Sequence, residues 1–343
     1  MTNRFRDPTQ IRRGSGVTMA EVGRLAGVSQ VTVSRALSSP SKVSPETLQR
    51  IRDAIARTGY VPNAVAGALA SNKSNLVAAL VPSVTNIVYS SMLHAFSDIM
   101  WEHGYQIMLS ETGFDLEREE KAISTHLSRR PDAILLTGVH HSATARRMLH
   151  NAGIPVVEVW DISDTPIDCC VGFSHIEAGQ AAADFAADSG YRNAATITAG
   201  DERAMRRRDA FEARYGKRTG EAVQKIDFAA PATLGLGREA LSRLVEQGLP
   251  PKSVLFCSSD QFAHGVLIEA AARGLSVPDD VAVIGFGDQD FAADTNPALT
   301  SIRIDRQILG QAAANALVAR FVVGPTLPAV YNVGFEIIRR ASA

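Results

Sequence analysis

The chain is poor in cysteine, in aromatic side chains and in unbroken apolar runs. Its cysteines are Cys169, Cys170 and Cys257. Two are adjacent and the count is odd, so neither a disulfide framework nor a zinc site follows. Cys257 closes the apolar run Val254-Leu255-Phe256-Cys257 and suits a small core residue. No stretch has the ~20 apolar residues that a membrane helix needs. Residues 1–16 carry Arg4, Arg6, Arg12 and Arg13 and end in Gly14-Ser15-Gly16. They lack the apolar centre of a secretory signal, so a flexible arm is expected, in a protein suited to a reducing cytoplasm. Catalytic constellations are absent too: no nucleophile–base pair and no metal-ligand spacing stands out. Gly235-Leu236-Gly237-Arg238-Glu239-Ala240 matches G-x-G-x-x-A, but residues 229–233 separate it from the strand expected over 224–228. A dinucleotide loop must leave its strand directly, so a helix start is the better reading.

Net charge is also nearly missing, at −1, yet it is unevenly spread. Residues 1–75 hold eleven Lys and Arg against four Asp and Glu, a net of +7, which leaves −8 for the rest. A basic head on an acidic body points to a polyanionic partner for the head alone.

The head has a readable grammar. Thr18-Met19-Ala20-Glu21 is a capping box. Val22, Leu25 and Ala26 supply an apolar face, and Gly27 stops the helix. Ser29 can cap a second helix in which Val33 and Leu37 form a buried stripe. Gln30, Val31, Thr32, Ser34 and Arg35 then make up an outward strip. An amide suits adenine, a guanidinium suits guanine and hydroxyls suit phosphate. Helix, short turn, helix is the helix-turn-helix spacing. A third helix follows, with Ser44 as cap, Pro45 in the first turn, Leu48, Ile51 and Ile55 inside, and Thr58-Gly59 as the stop. Beyond Pro62, the Ala-rich stretch from Asn63 to Ser71 is too short to be helical alone in water. It is either a linker or a hinge that becomes helical when paired in a dimer on DNA, with Leu69 as a minor-groove wedge.

From Leu76 onward, short apolar runs alternate with helical segments. Strands are expected over 76–81, 106–109, 133–136, 156–159, 195–198, 254–257 and 281–285. Helices are expected over 92–103, 117–127, 178–188, 238–247, 262–273 and 308–321. This alternation predicts parallel sheets covered on both faces, in two similar lobes.

These motifs together resemble the lac repressor (LacI/GalR) family. In the head they are Val17 to Val22, Gly27-Val28-Ser29, Thr32 to Leu37, and Tyr60-Val61-Pro62-Asn63 with Ala66 and Leu69. In the body they are Gly153-Ile154-Pro155, Val277 to Phe286 and Asn296 to Ile302. The resemblance implies an α/β protein with a three-helix headpiece over 17–62, a hinge helix over 63–73 and a two-lobed periplasmic-binding-protein-like core over 74–340. One lobe would span about 76–161 and 291–321, the other about 162–290 and 322–340. It implies that Gln30, Val31 and Arg35 face bases, that Ser29, Thr32, Ser34 and Asn63 touch backbone, and that Thr18 and Ala66 join the DNA-contacting set. Within the family, Val81-Pro82-Ser83 and the stretch from Asp168 to Ala178 are most similar to the gluconate operon repressors.

Effector contacts should come from loops after the strands. Candidates are Ser83, Asn86, Tyr89, Asp161, Ser259 and Asp260, the last equally able to cap a helix. The family pattern makes Asp161 a sugar-hydroxyl acceptor. It also expects paired acids where this chain has Gly287-Asp288, so Asp288 stands alone. An effector-contacting Arg four residues before a helix aromatic falls at Arg207, ahead of Phe211, with Arg203 one turn earlier. A lost acid and a gained guanidinium favour a sugar acid such as gluconate. The function expected is a cofactor-free, effector-switched repressor of operator DNA, a homodimer since no heptad tail follows Arg340. Alternatives are the same regulator answering to a neutral or phosphorylated sugar, a periplasmic-type solute-binding protein, and a dinucleotide-dependent enzyme.

Overall fold

In a computed structural model of the chain, residues 16–63, 67, 73–324 and 329–343 are described. Two compact units meet between Ser74 and Asn75. The amino-terminal unit contains α1 (Met19–Ala26), α2 (Gln30–Ser38) and α3 (Pro45–Thr58). Each helix starts where its cap dictates. Thr18 and Glu21 exchange capping-box hydrogen bonds. Ser29 Oγ accepts the Thr32 N–H and Ser44 Oγ the Thr47 N–H. Gly27, in the left-handed region at φ 67°, ends α1 and reverses the chain at a position where a Cβ would strain the backbone. Val22, Ala26, Val33, Ala36, Ile51 and Ala54 form the buried core. The expected Val33–Leu37 stripe is thus corrected: Leu37 and Leu25 are exposed, because α1 and α3 close on the Val33–Ala36 side of α2.

The body contains two six-stranded sheets. The first is built from β1 (Leu76–Val81), β2 (Gln106–Glu111), β3 (Ala133–Thr137), β4 (Val156–Val159) and β5 (Cys169–Gly172), with β11 (Val330–Asn332) at its edge. The second is built from β6 (Asn193–Thr198), β7 (Val223–Asp227), β8 (Ser253–Cys257), β9 (Val281–Phe286) and β10 (Thr300–Arg303), with β12 (Glu336–Ile338) at its edge. Both sheets share one winding, β2-β1-β3-β4-β5-β11 and β7-β6-β8-β9-β10-β12. All pairings are parallel except β10–β12. The central strands are buried along nearly their whole length, as sheets covered by helices on both faces require. The connecting helices are α4 (Ile87–Glu102), α5 (Leu116–Leu127), α6 (Ala143–Ala152), α7 (His175–Asp188), α8 (Glu202–Thr219), α9 (Leu234–Glu246), α10 (Asp260–Ala272) and α11 (Arg306–Val323).

The chain passes between sheets three times: β5 to β6, β10 to β11, and β11 to β12. The lobe limits expected from sequence shift accordingly. Cys169–Gly172 pairs with Val157–Val159, so the first lobe runs past residue 161. Thr300–Arg303 pairs with Ile284–Phe286 and belongs to the second lobe. Val330–Asn332 returns to the first lobe beside Cys170–Gly172. Strands of three or four residues show no resolvable periodicity, which hid their allegiance.

A buried charge cluster anchors the loop after β3, one wall of the cleft described below. His141 lies between Glu119 of α5 and Glu158 of β4, with Nδ1 at 2.7 Å from one carboxylate and Nε2 at 3.3 Å from the other. The ring is fully enclosed. Burial alone would depress its pKa, but the two carboxylates outweigh burial and raise it to about 9. Because the folded value lies above the unfolded one, this contribution is complete below the unfolded pKa and is lost as pH rises through the folded one. Thermal melts followed by circular dichroism should show falling stability between pH 7 and roughly pH 9.5 in the wild type, with a flatter profile in His141→Gln. Identical slopes in the two proteins would contradict this assignment.

Candidate nucleic-acid interface and effector cleft

On α2 the outward strip is exposed as its spacing predicts. Gln30, Val31, Ser34 and Arg35 face solvent, as do Ser29, Thr18 and Asn63, while Thr32 is half-buried. Val31 is 66% exposed, much for an apolar side chain. Among the described residues no carboxylate lies within ion-pair distance of Arg35, so its donors face outward. Thr32 Oγ1 meets Ser29 Oγ at 2.9 Å, which pins both hydroxyls at the start of the helix. The Gly67 N–H donates to the Asn63 carbonyl at 3.1 Å. Ala66 and Leu69 lie outside the described residues.

In the body, a cleft opens at the carboxyl ends of the strands, where open α/β sheets hold ligands. It has two adjoining chambers of about 130 and 290 Å³, both lined by Phe114, Asp201 and Arg203. The smaller chamber is basic. Its floor is Arg207, a residue only 5% exposed. Nη1 donates to His175 Nδ1 at 2.9 Å, and Nη2 donates to the Ser258 carbonyl at 3.1 Å. The guanidinium carbon stands 3.7 Å from the Phe286 ring centroid, a cation–π contact. Among the described residues, Nε has no hydrogen-bond partner and no carboxylate lies within ion-pair distance of the group. Burial, the largest influence, lowers its pKa to about 10 despite the attraction of Asp201, so it stays charged at neutral pH. Burial and the neighbouring Arg207 hold His175 well below the usual imidazole value. The neutral ring accepts at Nδ1 and donates from Nε2 to the Trp160 carbonyl at 2.9 Å.

Further donors face the same space. Arg203 Nη2 reaches Tyr89 Oη at 3.1 Å, a tie between α8 and α4. Trp160 lines the smaller chamber, and its indole N–H is buried without a partner among the described residues. Its φ of 69° is uncommon for a bulky residue, and such outliers concentrate at ligand sites. The larger chamber is acidic, lined by Asp115, Glu119, Asp161, Asp201 and Glu202. Asp161 pairs with Arg206 of α8.

Of the residues expected to face an effector, Asn86, Tyr89, Asp161, Arg203, Arg207 and Ser259 line the cleft. Three do not. Ser83 accepts the Asn86 N–H at 3.3 Å and shapes the turn into α4. Asp260 neither lines the cleft nor caps a helix start, since Ser259 is the cap of α10. Asp260 is fully buried, and its carboxylate accepts the Ser301 hydroxyl and the Gln289 N–H, each at 2.6 Å. Burial raises its pKa to about 6. Asp288, at φ 44°, is held away from the cleft by Arg303 and Arg340, each at 2.6 Å. Sequence reasoning missed Trp160, His175, Asp201 and Phe114. Only Asp201 carried a signal, as an acid just before a helix.

A family model described as bacterial regulatory proteins, lacI family, matches residues 18–63. A second, a periplasmic binding protein-like domain, matches residues 183–343. The HTH-type transcriptional regulator GntR of Pseudomonas aeruginosa is 36% identical, over 95% of this chain and 95% of its own length. The chain belongs to the LacI family. The regulator of the same name from Escherichia coli is 31% identical over 93% of this chain and 96% of its own. A solved LacI family transcriptional regulator from Silicibacter pomeroyi superposes with a TM-score of 0.89 at 31% identity, covering 95% of this chain and 99% of that one. These relatives are regulators, not enzymes, and this LacI family member is a DNA-binding transcriptional regulator. No described helix is long and apolar enough to cross a membrane.

The position of Arg207 depends on a close helix contact. A Cβ on Gly179 of α7 would lie 2.2 Å from the Arg207 carbonyl, whereas one on Gly216, also in α8, would meet nothing nearer than 3.5 Å. Gly179→Ala should destabilise the body by about 1–3 kcal/mol through overpacking. Gly216→Ala should stabilise it by roughly 0.5–1 kcal/mol. Urea unfolding of the two variants checks both signs.

Proposed function

We propose that this LacI family regulator represses genes of sugar-acid catabolism, gluconate or a close relative being the effector that releases it from a pseudo-palindromic operator. The observation that carries the effector class is Arg207, a buried guanidinium that forms no ion pair among the described residues and feels Asp201 only at longer range. An unpaired charge in a low-dielectric site is costly, and a bidentate carboxylate is its best partner. The cleft is polarised to match such a ligand. A carboxylate fits the basic chamber, and the hydroxyls of a polyol chain can donate to Asp115 and Asp201 in the larger one. Kinship to two regulators named GntR agrees with this reading.

In the head, Gln30, Val31 and Arg35 read base edges in the major groove, while Thr18, Ser29, Thr32, Ser34 and Asn63 bind backbone. Ala66 and Leu69 act from the hinge. The protein works as a dimer, so that two heads address two half-sites. Effector binding and operator binding are linked through the relative position of the lobes, and the coupling equals the difference in effector affinity between the two states.

Calorimetry should show gluconate binding to the full-length protein, and a gel shift with a symmetric operator should show gluconate changing the occupancy. Arg207→Ala should weaken gluconate about a hundredfold or more, the loss expected when one partner of a buried ion pair is removed. Arg35→Ala should cost operator affinity about 1–3 kcal/mol and leave gluconate binding unchanged. Gluconate binding of wild-type strength in Arg207→Ala would end the sugar-acid reading.

A further inference from the structure

One ion pair of the cleft has no role in the reading above. Asp161 follows β4 in the first lobe and Arg206 stands on α8 in the second, so their contact joins the lobes. Arg206 Nη2 pairs with Asp161 Oδ2, and Nη1 lies 3.4 Å from Oδ1, which also accepts the Ile162 N–H at 2.9 Å. Asp161 is only 1% exposed, whereas the Arg206 side chain is 26% exposed. Asp161 lines the larger chamber, while Arg206 lines neither chamber. Arg206 therefore reaches a ligand only through the carboxylate it covers.

We infer that Arg206 sets the ligand selectivity of the cleft: by cancelling the charge of Asp161 it admits a polyhydroxy carboxylate, and without it the same cleft would favour a neutral polyol. This inference deepens the sugar-acid reading and rests on it. A bare Asp161, itself only 1% exposed, would repel the carboxylate of the ligand with little solvent of its own to screen it. Its freed lone pairs would in turn accept hydroxyls. Selectivity is a difference between affinities, so one masked acid moves the acid and the polyol in opposite directions. The arginines of α8 then divide the work. Arg207 faces the carboxylate, Arg203 is tied to Tyr89, and Arg206 masks Asp161.

The test is calorimetry on the full-length protein with gluconate and sorbitol, which share a hydroxyl chain and differ in carboxylate against hydroxymethyl. The wild-type titration with gluconate tests the earlier reading by itself. In Arg206→Leu, gluconate should weaken at least about tenfold and sorbitol should tighten. Adding Asp161→Asn should return gluconate to within about threefold of wild type, since the buried charge is gone and Glu202, the other acid that Arg206 meets, is 47% exposed and screened by solvent. A direct contact between Arg206 and the ligand carboxylate would leave the double variant as weak as the single one. That result overturns the inference, and so does Arg206→Leu binding sorbitol no tighter than wild type. If wild type takes no gluconate while Arg206→Leu gains sorbitol, the sugar-acid reading falls and the masking of Asp161 stands. Melting temperature and ligand-free operator binding report whether each variant is folded.

Discussion

A single desolvated cation, Arg207, organises the cleft. A guanidinium this deeply buried is normally matched by a carboxylate, because removing its hydration costs several kcal/mol in a real protein interior (on the order of 20 in the idealised limit). Here a ring face, an imidazole nitrogen and a main-chain carbonyl share the work. None carries a negative charge. Each is itself held by the fold. His175 must be neutral to accept from Arg207, and its other nitrogen is committed to Trp160. Phe286 is the last residue of β9, and Ser258 directly follows β8. The site is thus hydrogen-bonded on two sides yet electrostatically incomplete, a condition that a bound anion would relieve.

The contacts that cross the cleft give this incompleteness a mechanical meaning. Arg203 to Tyr89, Arg206 to Asp161 and His175 to Trp160 each join a residue carried by the second lobe to one carried by the first. Two of the three lie within one turn of Arg207 on α8. A ligand at Arg207 therefore adjoins the bonds that set the spacing of the lobes. Because the chain passes between the sheets three times, a change of spacing must be absorbed in three short connections rather than one. Rotation of intact lobes is easier under that restraint than deformation of either sheet.

Most of the architecture was legible in the sequence, because caps and periodicities are local. Thr18, Gly27, Ser29, Ser44 and Gly59 stand where the structure turns, and the long buried strands announced themselves as apolar runs. The failures were non-local. Whether Thr300–Arg303 joins one sheet or the other depends on partners far away in sequence, so periodicity could not place it. Leu37 was assigned to the core on spacing alone, but α1 and α3 bury Ala36 instead. In the cleft, Arg207 entered only through the family resemblance, since four arginines within six residues read by themselves as a solvated helix face. The roles of Asp260 and Asp288 were not legible, since each is decided by a partner dozens of residues away: Ser301 for one, Arg340 for the other. Polar residues after strands fall into ligands and braces, and only three-dimensional pairing separates them.

The uneven charge is the remaining constraint, and it acts before any specific contact forms. A body of net −8 is repelled by DNA, while a head of net +7 is attracted. Association is therefore steered through the head, and the effector cleft, whose floor arginine is buried and whose half-buried Arg206 is paired to Asp161 and Glu202, offers DNA little. The head itself is small, and among its described residues half of the six that form the buried apolar core are alanines. So slight a core leaves few side chains to spare for anything but holding α2 in position. Its polar residues accordingly include caps that fix helix ends, Thr18, Ser29 and Ser44, and an exposed strip on α2.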